Sequence, residues 1–525
     1  MTKIYTIIAF LLAAVQSFGQ NSLQQKAEAL AGGEVFCNAA VGIKVTTGGG
    51  DILAEHNSGK MFTPASNMKL ISTGVALHSL GADYRFRTQI AHDGHISDGV
   101  LHGNLYIVGG ADPVTGSKDT VATALTETFK GWEKVLRAAG IGAIEGHIVG
   151  DGRWLDGMME EPTWLWEDVG TYYGSGVSGL NFYENMISFN ANVRFSDNKA
   201  GLELNQTYPQ TSWMDIRKEC TVGEKSSGDR LYMYTSDLAP VAVIRGTYGI
   251  DRGKKRVDFS NKFPEYTCAV YFKNYLAQRG ITCTGGAADF KLKREWMPAK
   301  ALADSLPEGL GTDGDSLKII GCTLSPSLAR IVRKTNYESN NLCAETLLRT
   351  LGKELKGNSS YEIARLAMND IINSMGMSSR QSEGIRIQDG SGLSRQNLIS
   401  PDFMCGFLAA MMDSPCFEDY LWSLPYPGGD GSLSYNMKEY DPSLRRRIRV
   451  KSGSMNGVRC YSGYILPADF HLPPDGSSPE AFGQIPQQVK DRIIIFSIMT
   501  NNCTSPTWKV RPELDKFMGE LAGDH

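Results

Sequence analysis

Apolar residues fall at every second position early in the chain. Val41, Ile43 and Val45 alternate, a Gly48-Gly49-Gly50-Asp51 turn follows, and Ile52 and Ala54 resume the pattern. Period two around a glycine-rich turn predicts a β-hairpin within residues 35–55. The period then changes. After Thr63-Pro64-Ala65, residues Met68, Ile71 and Val75, with Leu70 and Leu77, recur at helical spacing and predict a buried helix.

From about 85 to 305 short β-rich runs alternate with Gly, Asp and Asn turns. Examples are Leu105 to Val108, ahead of Gly109-Gly110-Ala111-Asp112-Pro113, and Leu231 to Tyr234. One helical stretch, near 119–138, interrupts them. The Gly109-Gly110 pair reads as a turn, because no G-x-G-x-x-G helix start follows. Beyond 315 the helical period returns. Leu342, Ala344, Leu347 and Leu348 fit one helix, and Ile363, Leu366, Ala367 and Ile371 fit another. Arg447 to Lys451 and Ile493 to Met499 read as two strands closing the chain. Helix-rich ends around a different middle predict one α/β domain interrupted by a β-rich insertion.

Composition narrows the class. The 525 residues include 53 Lys+Arg and 57 Asp+Glu, a net charge of −4, with 42% hydrophobic residues. That is ordinary globular composition. No basic excess is available to meet phosphates, so no nucleic-acid partner is expected. Lys3 followed by the apolar-rich run Ile4 to Val15, with Ser17 and Gly19 as small residues before a cut after Gly19, predicts a signal peptide over residues 1–19. Read without an export role, the same run is a buried first helix. No later run reaches the ~18 apolar residues of a membrane span, so an exported, periplasmic protein is expected. The ten cysteines include no C-x-x-C pair, and their even number permits disulfides without fixing a connectivity. The eight His residues are scattered and no H-E-x-x-H occurs, so neither metal nor other cofactor is expected.

Three short stretches carry candidate chemistry. Ser66 and Lys69 stand one helical turn apart on one face, where a neutral lysine can take a serine proton. Ser339-Asn340-Asn341 follows Tyr337-Glu338 and opens a helix; alone, it is an ordinary N-cap. Lys451-Ser452-Gly453-Ser454 ends a run in which Arg447, Arg449 and Lys451 alternate with Ile448 and Val450; alone, it is a basic edge strand meeting a turn. Ser196-Asp197-Asn198-Lys199 fits the first pattern too, but lies in a polar run and reads as a turn.

Taken together and in order, S-x-x-K, S-x-N and K-[ST]-G form the signature set of penicillin-recognising serine enzymes. The spacing narrows the resemblance. Ser66 and Ser339 are 273 positions apart, and Ser339 and Lys451 are 112 apart. Class A β-lactamases put only a few tens of residues between the first two motifs. The chain therefore resembles the D-Ala-D-Ala carboxypeptidase/endopeptidase family, the class C low-molecular-mass penicillin-binding proteins. Gly103 to Pro113, Trp166-Glu167-Asp168 and Asp389 to Arg395 are further family-like stretches.

The resemblance implies an α/β multi-domain fold. A transpeptidase-like catalytic domain, an antiparallel sheet with helices on both sides, would comprise residues 20–85 and 305–525. A β-rich inserted domain would comprise 86–112 and 188–304, with a smaller module, 113–187, nested in it. Ser66 would attack the penultimate D-Ala carbonyl of a peptidoglycan stem peptide, with Lys69 as base and the positive charge of Lys451 keeping a proton off it. Ser339 would relay a proton to the leaving amine, and Asn341 would hold the substrate amide. The N–H groups of Ser66 and Ser454 would form the oxyanion hole. Lys451 and Ser452, in the stretch that includes Gly453, would bind the terminal carboxylate. Asp168, Tyr173 and Arg395 match residues that read the free ammonium of a diaminopimelate side chain. Serine replaces the usual threonine at 452, which keeps the hydroxyl and loses a methyl. β-Lactams would acylate Ser66 and persist as covalent inhibitors. Two other functions stay open: a penicillin-binding module with little turnover, which would take up penicillin without releasing D-Ala, and a β-lactamase, which would hydrolyse a cephalosporin rapidly. A weak association with a membrane surface also stays open.

Overall fold

The computed structural model describes residues 23–196, 199–290, 317–474 and 476–523. The expected signal peptide, residues 1–19, and the expected boundary near 304–305 lie outside the described residues. So do Asp197 and Asn198; Ser196 and Lys199 on either side of them pair as the ends of two antiparallel strands. The chain forms two compact units. One holds the residues up to Asp83, Val332–Asn340 and those from Arg365 onward; the other holds Tyr84–Ile331 and Asn341–Ala364.

The first unit is built on a five-stranded sheet in the order Ile448–Met455, Val458–Ile465, Ile494–Asn501, Ala40–Thr47, Ile52–His56. Every pairing is antiparallel. The expected hairpin is Ala40–Thr47 against Ile52–His56, with Val45 opposite Ala54. One face packs Val41, Ile43, Val45, Val450, Phe496 and Ile498 against the helix at residues 23–31 and the helix Thr507–Gly523. The opposite face receives the helix Pro401–Met412, where the Tyr464 hydroxyl donates to the Leu408 carbonyl at 2.7 Å. Gly42 is required there, since a Cβ would overlap the Phe62 ring and press on Pro401. Helices thus cover both sides of the sheet.

Three expectations need correction. Between the two closing strands runs a third, Val458–Ile465, and a helix, Thr507–Gly523, follows the second of them. Arg459, Cys460, Ser462 and Gly463 break any alternation in that strand because it is central and packed on both faces. Lys451 is not at a strand end, since its strand continues to Met455. The expected helix through Ile363, Leu366, Ala367 and Ile371 is Tyr361–Ser374, but its buried face is Tyr361, Ala364, Ala367, Met368 and Ile372, while Leu366 is 49% exposed.

Among the described residues, the second unit carries four sheets. A five-stranded one runs Ala287–Asp289, Ile148–Asp151, Leu105–Val108, Arg87–His92, Lys318–Leu324, and a four-stranded one runs Thr282–Cys283, Ala143–Glu145, Val100–His102, His95–Ser97. Their core includes Trp132 from the helix Leu125–Ala138 and Phe272 from the helix Pro264–Gln278, with ring centroids 5.2 Å apart. The second of these helices is a correction to the single helix expected. Its aromatic and apolar residues lie on no single stripe, although Pro264 at its first position is a start signal. The two three-stranded sheets, which include Met186–Ser196 and Ala239–Gly249, enclose a separate core around Phe189, Met233 and Ile244. The helix Asn341–Lys356 belongs to this unit and buries Leu342, Ala344, Leu347 and Leu348 as expected. Arg349 of that helix, fully buried, donates to the carbonyls of Asp156, Met158 and Ser359. None of the ten cysteines is in a disulfide.

Candidate active site

The first unit presents Ser66 on a tight turn. Pro64 precedes a single 3-10 turn, Ala65–Asn67, which runs directly into the helix Met68–Leu80. Ala65 takes φ +47°, the left-handed region that costs a non-glycine residue energy, so the surroundings must hold it there. They do so on two sides. Asn67 donates its amide to Ser462 at 2.7 Å, and Ser462 donates to Ser497 at 2.9 Å, which ties the turn to the sheet through buried side chains. Across the turn lies the loop Asp389–Ser394, whose Gly392 has φ +83° and leaves no room for a Cβ against the Ala65 carbonyl.

Lys69 follows one turn after Ser66 and is fully buried. Its Nζ lies 2.9 Å from Ser66 Oγ and donates to the Ser391 carbonyl at 2.7 Å. The loop carrying that carbonyl is built around Asp389. The buried Asp389 carboxylate accepts from the backbone N–H of Gly392 at 2.8 Å, from that of Ser394 at 2.6 Å and from the Asn397 amide at 2.8 Å. Hydrogen bonds to an ionised acceptor are the strong kind, so the loop is rigidly set.

A second lysine–serine pair stands in the same unit. Lys451 Nζ donates to Ser339 Oγ at 3.0 Å and to the Ser452 carbonyl at 2.7 Å. Ser339 joins two helices, Leu328–Glu338 and Asn341–Lys356. It has φ +57°, and the next N–H, from Asn340, donates back to Thr335 at 3.1 Å. That is the left-handed closure of the preceding helix, with a six-to-one bond. The S-x-N stretch therefore ends one helix as well as opening the next. The side chain of Asn336 fixes this end, donating to Ser423 at 2.9 Å and Thr73 at 3.3 Å.

Lys451 is fully buried, and its pKa lies well below the ordinary lysine value. Burial is the larger cause and the positive charge of Lys69 the second. Two buried amines in this electrostatic contact do not both hold a proton cheaply. A neutral amine beside Ser66 keeps a lone pair for the hydroxyl proton.

The strand that carries Lys451 is at the edge of the sheet. The Val450 N–H points to the outer side, where it donates to Pro425 at 2.9 Å. The register with Val458–Ile465 is unbroken, so the same alternation turns the Ser452 and Ser454 amides to that edge. Gly453 lies against the turn of Ser66: a Cβ there would overlap the Pro64 carbonyl and stand 3.0 Å from the Asn67 nitrogen. The glycine of the third motif is a close-approach position.

The first unit thus brings together Ser66, Lys69, Ser339, Lys451, Ser452, Gly453 and Ser454. Arg395 belongs to the same unit; it is exposed, with Nη1 3.4 Å from the Asn456 carbonyl. The remaining candidates belong to the second unit. Asn341 donates its amide to the Tyr173 carbonyl at 2.8 Å, and the Tyr173 hydroxyl donates to Asp168 at 3.0 Å. Burial, then the Asp168 charge, pushes the Tyr173 phenol up from its usual range. Among the described residues, no group of three His, Cys, Asp or Glu is placed to hold a metal ion.

Sequence reasoning missed Asp389, Asn397 and the Ser391 carbonyl. The stretch Asp389 to Arg395 stood out, but only Arg395 was drawn from it. It also missed Asn67 and Ser462, whose polar side chains in otherwise apolar elements were the available signal.

A family model described as D-Ala-D-Ala carboxypeptidase 3 (S13) matches residues 23–307 and 309–520. The D-alanyl-D-alanine carboxypeptidase of Actinomadura sp. (strain R39) is 24% identical over 474 residues, 86% of this chain and 80% of the relative. The D-alanyl-D-alanine carboxypeptidase DacB of Haemophilus influenzae is 23% identical over 435 residues, 79% of this chain and 80% of that protein. The crystal structure of penicillin binding protein 4 (dacB) from Haemophilus influenzae superposes with a TM-score of 0.71 at 19% identity, over 96% of this chain and 98% of that one. The same protein complexed with a novel beta-lactam gives 0.67, also at 19% identity, over 96% and 99%. The solved structures show the shared fold, and the family model spans nearly all the described chain, which therefore belongs to the D-Ala-D-Ala carboxypeptidase 3 (S13) family.

Proposed function

We propose that this serine D-Ala-D-Ala carboxypeptidase also cleaves peptidoglycan cross-links, through one acyl-enzyme at Ser66. The carrying observation is the pair of serine–lysine contacts in one unit, Ser66 with Lys69 at 2.9 Å and Ser339 with Lys451 at 3.0 Å. Lys69 takes the Ser66 proton as Oγ bonds to the penultimate D-Ala carbonyl carbon. The oxyanion is met by the N–H groups of Ser66 and Ser454. Collapse breaks the peptide bond, and the leaving amine takes a proton by way of Ser339 and Lys451. Water then releases the acyl group. Loss of a terminal D-Ala is carboxypeptidase action; loss of another stem's side chain is endopeptidase action.

The motif resemblance supports Asn341 as holder of the substrate amide, and Lys451 with Ser452, beside Gly453, as the carboxylate site. It likewise supports Asp168, Tyr173 and Arg395 as readers of the free ammonium. The β-lactam complex of the Haemophilus influenzae protein supports acylation of this chain by β-lactams. The three-part division at 86–112 with 188–304, and 113–187, belongs to the same proposal. So does periplasmic placement; no helix of the described residues is long and apolar enough to cross a membrane.

Intact mass after benzylpenicillin, with peptide mapping, tests the nucleophile: one adduct on Ser66 is expected, and none with Ser66→Ala. Release of D-Ala from diacetyl-Lys-D-Ala-D-Ala tests turnover. An adduct without D-Ala release sinks the enzyme reading in favour of a binding module, and rapid cephalosporin hydrolysis favours a β-lactamase.

A further inference from the structure

Beneath the segment that carries Asp168 and Tyr173, the second unit buries a lysine. Lys262 is fully inaccessible, and its Nζ stands 2.6 Å from Glu160, whose side chain is 8% exposed. The same ammonium donates to two successive carbonyls, Gly174 at 2.9 Å and Ser175 at 3.1 Å. Gly174 closes the short 3-10 turn Tyr172–Gly174, where orphaned carbonyls need a donor. The ammonium thus holds two carbonyls by hydrogen bonds and faces the Glu160 carboxylate as an ion pair.

Neighbours of Lys262 grip the same segment. The Ser260 N–H donates to Gly170 at 3.0 Å and its hydroxyl to Val169 at 3.1 Å. Phe259 forms a bridge with Thr171. The segment has no slack to absorb a change, since a Cβ at Gly174 would overlap the Asp168 carbonyl and one at Gly170 the Met233 carbonyl. Within this brace the Tyr173 carbonyl receives the Asn341 amide at 2.8 Å, and the Tyr173 hydroxyl reaches Asp168. Lys262 is thus one residue from the carbonyl that orients Asn341.

We infer that Lys262, neutralised by Glu160, is a positioning residue. It fixes the Tyr173–Ser175 backbone, and through it sets both the Asp168–Tyr173 reader of a substrate ammonium and the orientation of the Asn341 amide. This rests on the reading of Asp168 and Tyr173 proposed above. A buried ion pair is a costly way to hold a turn, and breaking one half strands a charge. The informative variant therefore removes both charges: Glu160→Gln with Lys262→Met.

The test compares D-Ala release from a tripeptide with a free lysine side chain and from its side-chain-acetylated form. Wild type should favour the free amine. The double variant should lose at least about tenfold of that preference in kcat/KM, and benzylpenicillin should still label Ser66, more slowly because the Asn341 amide is no longer held in place. Amide exchange at Tyr173 to Ser175 should quicken at least about tenfold, and Lys262→Arg, which keeps the cation, should recover part of the preference. A folded double variant with unchanged preference and unchanged exchange overturns the inference. So does a double variant that no longer folds, because the pair then serves the whole unit. If wild type itself shows no preference for the free amine, the reading of Asp168 and Tyr173 fails first, and the positioning role falls with it.

Discussion

Gly392 lies directly against the carbonyl of Ala65, with no space for a side chain between them. The loop that hands its Ser391 carbonyl to Lys69 is therefore in contact with the turn that presents Ser66. Gly392→Ala should force the two apart, adding left-handed strain at φ +83° to an overlap with backbone. Overpacking of this kind costs about 1–3 kcal/mol of stability. Displacing the base from the nucleophile costs rate as well, since a shift near 1 Å is worth up to about a hundredfold. Fluorescent penicillin labelling should slow at least about tenfold (~1.4 kcal/mol), alongside a lower melting temperature. Labelling at the wild-type rate would show that this contact does not set the geometry.

Asp389 organises the same loop through three accepted hydrogen bonds, two of them from backbone N–H groups. Asp389→Asn keeps the shape but replaces one acceptor oxygen with a donor that faces another N–H. Leaving a buried group unpaired costs about 1–3 kcal/mol. The variant should unfold at lower urea and acylate more slowly, with the penicilloyl adduct still on Ser66. Unchanged midpoint and rate would mean the loop holds its form without the carboxylate.

The sequence was readable where a local pattern answers a local environment. The hairpin at Ala40–His56 alternates because Val41, Ile43 and Val45 enter the apolar core while Gly42 on the other face meets Phe62 and Pro401, and the helix after Ser66 stands out because Met68 to Leu77 are all buried. Val458–Ile465 was not readable, since a central strand with Ser462 bonded inside it has no clean alternation. In the site, the four reactive side chains are residue types at fixed spacing and can be found in one dimension. The Ser391 carbonyl cannot, because every residue has one; only the fold selects it. Nor does the spacing of Ser339 and Asn341 show that one bonds to Lys451 and the other to Tyr173, in different units.

Ten cysteines outside any disulfide make a countable prediction. Cys37 and Cys322 are exposed, whereas Cys268, Cys343, Cys405 and Cys460 are buried. Reaction needs the thiolate, and burial pushes the Cys460 thiol up to about 12. Ellman's reagent should find Cys37 and Cys322 first in the native protein and ten thiols in guanidinium. The melting temperature should not respond to dithiothreitol. A count of eight or fewer in denaturant without reductant would mean that at least one disulfide forms in an exported chain.

The two lysines make the last prediction a matter of pH. Burial, and then the charge of Lys69, disfavour the ammonium of Lys451. Repulsion between two cations is mutual, so Lys451→Met removes a positive neighbour from Lys69 and lets it hold its proton to higher pH. Acylation needs Lys69 neutral, so the acid limb of the benzylpenicillin profile should move upward in pH. Near neutrality the rate should fall by roughly a hundred- to ten-thousandfold, the range of a lost general base. Stability carries an independent sign. An unfolded lysine keeps its proton up to about 10.4, whereas folded Lys451 releases it at lower pH. Between those two values the unfolded state binds more protons, so the native state gains stability as pH rises. The Met variant lacks this gain. Urea unfolding from pH 6 to 10 should therefore show wild type improving relative to Lys451→Met as pH increases. A difference that shrinks with pH would mean that Lys451 keeps its proton in the folded protein, and an acid limb that stays in place would mean that Lys451 carries no charge that Lys69 feels.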